Sequence, residues 1–270
     1  MPLVMWFRRD LRVRDNPALL AALSDGPVSC LFVVDPALWT SAGPARRARL
    51  AANVLSPAER IPLTIRYGDP RDVVPSVAGS GAVHVAAETT PYGRGRDAVV
   101  GERVDLVASG SPYAVGPGLV SNGTGDPYPV FTAFARARRE RGWPEPAMTP
   151  RSPDLAPADS SSDAVAMLEK AVADAPVELP TAGEDAARRR WHAFRSEHTD
   201  DYEVERDRPD HDGTSRVVAL PPPRGAAPAL AAGRARSGLD LCDRAGSGAS
   251  STPTCCGTRA RRRGPISSRP

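Results

Sequence analysis

Over the first 120 residues, short apolar runs alternate with stretches of helical periodicity. Pro2 to Phe7 is apolar at every position, the pattern of a parallel strand covered on both faces. Asn16-Pro17 then opens a helix, with Asn16 as its cap and Pro17 at the first helical position. Val28 to Val34 predicts a second strand, ending at Asp35-Pro36, and residues 45–60 predict a helix. Leu63 to Tyr67 predicts a third strand, ending at Gly68-Asp69-Pro70. Ala82 to Ala87 predicts a fourth, and Val104 to Ala108 a fifth. Strands separated by helices imply a doubly wound α/β fold, a five-stranded parallel sheet with helices on both faces. Ligands of such sheets sit beyond the carboxyl ends of the strands. No Gly-x-Gly-x-x-Gly follows the first strand, so the dinucleotide fingerprint is missing.

The pattern then changes. Tyr128 to Arg141 predicts an amphipathic helix, and Pro, Ser and Asp dominate from Pro144 to Asp163 as in a linker laid on a surface. A helix returns from Gly183 to Tyr202, with Ala187, Trp191 and Phe194 on its apolar stripe. Residues 217–270 hold no Phe, Tyr, Trp or Lys, and nine Arg face two acids, Asp240 and Asp243. So little apolar material predicts a disordered tail.

Composition adds three exclusions. A chain of 270 residues has room for a sizeable core, and 41% apolar with 25% charged residues is ordinary for a globular protein. No apolar run approaches the roughly 18 residues of a membrane span, and Arg8-Arg9-Asp10 interrupts the N-terminus too early for a signal peptide. The expectation is a cytoplasmic, monomeric protein. Cys30, Cys242, Cys255 and Cys256 show no metal spacing, so neither a metal site nor a disulfide framework is expected. Of 35 basic residues only Lys170 is lysine, which fits a GC-rich gene, and the net charge of +3 does not by itself imply nucleic acid.

Met5-Trp6-Phe7-Arg8-Arg9-Asp10-Leu11-Arg12-Val13-Arg14-Asp15-Asn16-Pro17-Ala18-Leu19 resembles the opening of the DNA photolyase and cryptochrome family. Gly110 to Val115 with Pro117-Gly118 resembles that family's loop after the fifth strand, and Tyr128-Pro129-Val130-Phe131-Thr132-Ala133-Phe134 its Tyr-x-Val-Phe-Thr-x-Phe helix start. Asp201-Tyr202, Glu205 to Pro209 and Asp212 to Arg216 resemble the start of its flavin domain, so the resemblance covers residues 2–216. It implies a Rossmann-like antenna domain over residues 1–125, a linker over 126–165, the beginning of a helical FAD domain over 166–216, and a divergent tail over 217–270.

By that resemblance Tyr202 lies beside the flavin phosphates, and Thr214, Ser215 and Arg216 form the phosphate-contacting turn; read alone, Thr214-Ser215 is an ordinary helix cap. Arg206 corresponds to a position near DNA phosphates, although a surface arginine is usually only solvated. Arg8, Asp10, Arg12, Asp15 and Asn16 follow the first strand; with Asp35 they form either an antenna-pigment site or a structural salt-bridge network. Glu88 among Ala86, Ala87 and Thr89 speaks against a folate antenna; a deazaflavin, or none, fits as well. His84 reads as core, Arg188-Arg189-Arg190 as a solvated face, and no side chain is assigned a catalytic role. The implied activity is light-driven, FAD-dependent splitting of cyclobutane pyrimidine dimers in DNA, with a blue-light receptor or an inert remnant as the other readings.

The family reads Leu-Ser-Pro-Tyr-Leu after the phosphate turn, whereas this chain reads Val217-Val218-Ala219-Leu220-Pro221. Back-translated out of frame, residues 218–230 can read Leu-Ser-Pro-Tyr-Leu-Arg-Leu-Gly-Glu-Leu-His-Pro-Arg. Shifted the other way, residues 247–258 can read Trp-Arg-Glu-Phe-Tyr-Ala-Asp-Val-Leu-Trp-His. At least two frame changes after Arg216 are therefore expected, and repair by the chain as written is not.

Overall fold

A computed structural model describes residues 3–148 and 153–216. The tail expected to be disordered, its frame changes, and Cys242, Cys255 and Cys256 lie outside the described residues.

Five strands, β1 (Leu3–Phe7), β2 (Val28–Val34), β3 (Leu63–Tyr67), β4 (Val83–Val85) and β5 (Leu106–Ala108), form one parallel sheet in the order β3-β2-β1-β4-β5. The chain works outward from β1 to β3, then crosses back to place β4 on β1's other side. The topological switch therefore falls between β1 and β4. One face of the sheet (Met5, Phe7, Cys30, Phe32, Leu63, Ile65) packs on α1 (Pro17–Asp25), α3 (Pro44–Ala58) and α7 (Ser162–Ala173). The opposite face (Val4, Trp6, Leu31, Val33, Val83, Val85) packs on α4 (Pro70–Ala78) and α5 (Pro91–Gly101). Period-two alternation thus gives the central β1 two buried faces, which explains its unbroken apolar sequence.

The helices on the sheet begin alike. Asn16, Asp35, Asp69 and Thr90 cap α1, α2 (Pro36–Ser41), α4 and α5 with their side chains, and each is followed by a proline at the first helical position. α3 starts at Gly43-Pro44 without a side-chain cap. Only the first of these starts is read from sequence as a helix signal; Asp35-Pro36 and Asp69-Pro70 are read there merely as strand ends.

Several boundaries are corrected. The fourth strand stops at Val85, after which the Ala86 carbonyl accepts from the Arg8 guanidinium. The fifth starts at Leu106, because the Val104 N–H closes the end of α5 on the Val100 carbonyl. The helix expected from Tyr128 is α6 (Phe131–Arg141), since Val130 is still extended. The helix expected over 183–202 is α8 (Glu184–Glu197), broken at His198 from a single turn, α9 (Tyr202–Glu205).

The stretch read as a surface linker is more firmly held than its composition suggests. The Val28 N–H donates to the Asp154 carbonyl at 2.9 Å, and the Ala156 N–H to the Val28 carbonyl at 2.8 Å. The Ser160 hydroxyl accepts from the Ile65 N–H at 2.9 Å, and the Ser161 N–H donates to the Ile65 carbonyl at 3.0 Å. This segment satisfies the outer edge of β3, an edge that would otherwise be open to another chain. Ser161 then caps α7, whose Ala164 and Leu168 enter the core beside α3. Among the described residues, no helix is long and apolar enough to cross a membrane, and no cluster of His, Cys, Asp and Glu could hold a metal ion.

Candidate functional site

Beyond the carboxyl ends of β1 and β4, at the switch point, a narrow cleft is lined by Trp6, Arg8, Arg9, Asp10, Ala86, Glu88 and Pro112. The fold predicts a ligand crevice there. Arg8 leaves the end of β1 and donates to Asp97 on α5 at 2.6 Å and to the Ala86 carbonyl. Its guanidinium carbon stands 4.9 Å from the Trp6 ring centroid, and that of Arg96 stands 4.7 Å from the same ring. Arg96 donates to Asp97 at 2.9 Å. One carboxylate thus holds two guanidiniums against one indole, an arrangement that tolerates burial of like charges. Burial pulls the Arg8 guanidinium below its ordinary value, against the raising influence of Asp97.

The same chain of contacts reaches Asp35. Arg96 also stands 5.9 Å from the Tyr92 ring, and the Tyr92 hydroxyl donates to the Asp35 carboxylate. Burial, with that hydrogen bond second, pushes the Tyr92 phenol up to about 12. Burial also acts to raise the Glu88 carboxyl. The amides of Thr90 and Thr89, with Arg9 and Arg8 nearby, outweigh it and hold the group below its usual range.

Asp10 and Arg12 belong to a different cluster. Arg12 is 3% exposed and donates to Asp10 at 2.8 Å and to Asp15 at 3.0 Å. The Asn16 side chain donates to the Arg12 carbonyl while its oxygen accepts from the Ala18 and Leu19 amides. The same loop is gripped by α8. The Glu184 carboxylate accepts from the Val13 and Arg14 amides at 3.1 and 3.3 Å, and Asp185 pairs with Arg14 and Arg60. The Arg14 hydrogen bond is the main cause holding the Asp185 carboxyl below its ordinary value. Gly183 makes the approach possible, having a φ of +92° and a hydrogen position where a Cβ would stand 2.0 Å from the Ser56 hydroxyl. Of the six residues grouped from sequence, the structure therefore joins Arg8 to Asp35 through Asp97, Arg96 and Tyr92, and Asp10, Arg12, Asp15 and Asn16 to one another.

The second candidate group lies on α8 and α9. Phe194 meets Tyr202 edge-on at 5.6 Å between ring centroids. One turn earlier on α8, Arg190 donates to the Ser215 carbonyl at 3.3 Å and pairs with Asp212. Tyr202 and the Thr214–Arg216 turn are thus held against one strip of α8. Gly213 fits there because a Cβ would come within 2.4 Å of Glu205. Arg216 pairs with Asp212 at 2.9 Å. Arg206 is exposed, with Asp207 at 3.9 Å. His84 is buried in β4, as the core reading expects.

Sequence reading missed Tyr92, Arg96 and Asp97, which complete the Arg8 network, and Glu184 and Asp185, which lock the loop after β1. Local composition does concentrate charge over Gly93 to Asp97, but its partner lies 89 residues away.

A DNA photolyase family model matches residues 3–153. The chain is 36% identical over 228 residues to a deoxyribodipyrimidine photo-lyase of Thermus thermophilus, covering 80% of this chain and 50% of that protein. It is 33% identical over 241 residues to one of Halobacterium salinarum, covering 79% and 50%. It spans about half the length of these curated relatives. A crystal structure of a class III photolyase from Agrobacterium tumefaciens superposes with a TM-score of 0.63 at 26% identity, over 81% of this chain and 50% of that one. A Synechocystis cryptochrome structure, at 17% identity and a TM-score of 0.67, shares the fold. The motif after β1, the five-stranded sheet and these matches converge: the chain belongs to the DNA photolyase family.

Proposed function

We propose that this chain supplies the α/β half and the first phosphate-side contacts of a light-driven flavoprotein that splits cyclobutane pyrimidine dimers in DNA. The observation that carries the reading is the turn at Thr214–Arg216. The Thr214 and Ser215 side chains are half-buried and accept or donate no hydrogen bond among the described residues, beside the guanidiniums of Arg190 and Arg216. Hydroxyl donors next to two cations suit a pyrophosphate. The residues present therefore fit the anionic end of FAD.

When bound, FAD would supply the photoexcited electron donor for the lesion. This chain's own part is to bind and orient. Thr214 and Ser215 would donate to the phosphates, Arg216 would offset their charge, and Tyr202 would cover one side. Arg206 would add a phosphate contact to DNA, and the lesion must leave the base stack to be reached, a step for which photolyases are a named example. An antenna pigment fits the Arg8–Asp97–Tyr92–Asp35 side of the cleft. The Glu88 carboxylate is taken up by two amides, which supports a deazaflavin over a folate, or no pigment. A light-receptor reading draws on a 33-residue stretch that is 67% identical to Cryptochrome-1 of Arabidopsis thaliana.

Tyr202 is 43% exposed, and so open a set of contacts cannot enclose a flavin, because tight cofactor sites bury most of their ligand. The 270-residue chain alone should purify colourless and inactive in repair. Joined after Arg216 to the second half of a photolyase, it should purify yellow and bind irradiated DNA. Stoichiometric flavin in the short chain, or a colourless joined protein, would overturn this reading.

A further inference from the structure

The chain holds three asparagines, Asn16, Asn53 and Asn122, and no glutamine. An asparagine loses its side-chain amide when the backbone nitrogen of the next residue attacks Cγ, so the neighbour decides which of the three can react. Asn16 is buried, caps α1 and precedes Pro17, which has no N–H to give up. Asn53 is buried in α3, its amide bonded to the Arg49 carbonyl and its oxygen to the Gly183 N–H, and the stiff, β-branched Val54 follows it. Asn122 differs from both. It precedes Gly123, in the exposed loop between β5 and α6. The Gly123 N–H makes no hydrogen bond among the described residues. A Cβ at Gly123 would meet nothing within 4 Å, so the nitrogen stands in open space.

Asn122 also closes a tight turn. Its N–H donates to the Asp126 carbonyl at 2.8 Å, and its carbonyl accepts from the Gly125 N–H at 3.0 Å. Its side-chain oxygen accepts from the Thr124 N–H at 3.0 Å and the Asp126 N–H at 2.9 Å. Two N–H donors on one atom fix it as the oxygen and leave Nδ2 without a partner among the described residues. The Thr124 hydroxyl stands 2.7 Å from that oxygen and 2.8 Å from the Asp126 carboxylate, so its proton can turn to whichever carries more charge. Donors at these distances stabilise an oxyanion.

We propose that Asn122 is a self-modifying site, a turn that deamidates itself through Gly123. The Gly123 nitrogen gives its proton to hydroxide and bonds to Asn122 Cγ. Charge gathers on Oδ1, among the three donors. The Cγ–Nδ2 bond then breaks, and ammonia leaves with a proton from water. The product is a five-membered cyclic imide. Water opens it at either carbonyl, leaving aspartate or isoaspartate at position 122. Water is consumed and ammonia released, and nothing is oxidised or reduced. The turn gains a negative charge beside Asp126, and the isoaspartate form lengthens the backbone between β5 and α6 by one carbon. This inference is independent of the flavin reading.

The test is incubation of the full 270-residue chain at mildly alkaline pH, with and without urea, followed by charge separation and peptide mapping. With no glutamine present, an acidic species formed with release of ammonia reports on the three asparagines alone. The expected result is conversion at Asn122, to both aspartate and isoaspartate, about tenfold faster in the folded chain than in urea. Thr124→Val, which removes the hydroxyl and keeps the shape, should slow the folded rate and leave the rate in urea unchanged. Thr124→Ser, which keeps the hydroxyl, should restore it. Gly123→Ala should slow conversion in both states by crowding the attacking nitrogen. Thermal unfolding should be the same in all three variants, because the turn lies outside both core clusters. A folded rate at or below the rate in urea overturns the proposal, since the turn would then hold the amide away from attack. Conversion at Asn16 or Asn53 ahead of Asn122 also overturns it, as does a Thr124→Val chain that reacts as fast as the original.

Discussion

Arg12 and Arg190 each hold an aspartate, in opposite surroundings. Arg12 sits among Asp10, Asp15 and the cap of α1, with 3% of its side chain exposed. Arg190 holds Asp212 from a position 38% exposed. Around the sheet, charges are buried, whether their partners are near in sequence, as Asp10 and Asp15 are to Arg12, or distant, as Asp97 is to Arg8. Around Arg190 and Arg216, the same residue types pair with Asp212 on a surface. The first region keeps its charges inside the fold, and the second leaves them open to water. Water decides the difference. A buried charge must keep its partner, whereas an exposed one can exchange its partner for solvent.

The largest test of this contrast is Arg12→Met. It leaves Asp10 buried beside an apolar side chain and should cost about 3–5 kcal/mol in urea unfolding. A loss below 1 kcal/mol would mean the network is more hydrated than its geometry indicates. Leu168→Ala follows at about 2–5 kcal/mol. Leu168 is fully buried between α7 and the sheet, so a small effect would detach α7 from the first region.

The third test is a pH profile. Tyr92 has its phenol raised from 10.0 to about 12, so folding favours the neutral form. That stabilisation is complete below pH 10 and is lost as pH rises from 10 towards 12. Tyr92→Phe should flatten the alkaline arm of a melting-temperature profile; an unchanged slope would assign that arm to other groups. Smallest is Arg190→Ala, at no more than about 1 kcal/mol, since both partners are largely exposed. A larger loss would place the Thr214–Arg216 turn inside the first folding unit.

The same contrast explains what could be read from the chain. Strands buried on both faces announce themselves, and β1, β2 and β3 fall where the apolar runs place them. β4 and β5 shrink because backbone groups at their ends are taken by Arg8 and by the closing turn of α5, choices made across the fold. α7 escaped because the Pro, Ser and Asp residues before it look like linker. Those serines and aspartates in fact bond the backbone of β2 and β3. The candidate site was half legible. Arg8, Asp10, Arg12 and Asp35 stand out as charges after apolar runs, but their division into two networks depends on Asp97 and Glu184, distant residues that no local pattern connects.

The capped helix starts along the sheet have a consequence for ligand chemistry. α1, α2, α4 and α5 all direct the positive ends of their peptide dipoles to the carboxyl edge, where a nucleotide phosphate usually lodges on free amides. Here each first helical residue is proline, with no N–H to offer, and the Asn16, Asp35, Asp69 and Thr90 side chains each already take a first-turn amide. The edge is therefore short of free first-turn amides. An anion arriving there meets side chains, paired guanidiniums and the capping carboxylates Asp35 and Asp69 among them, so the nucleotide-binding topology is kept while its usual means of gripping a phosphate is largely taken up.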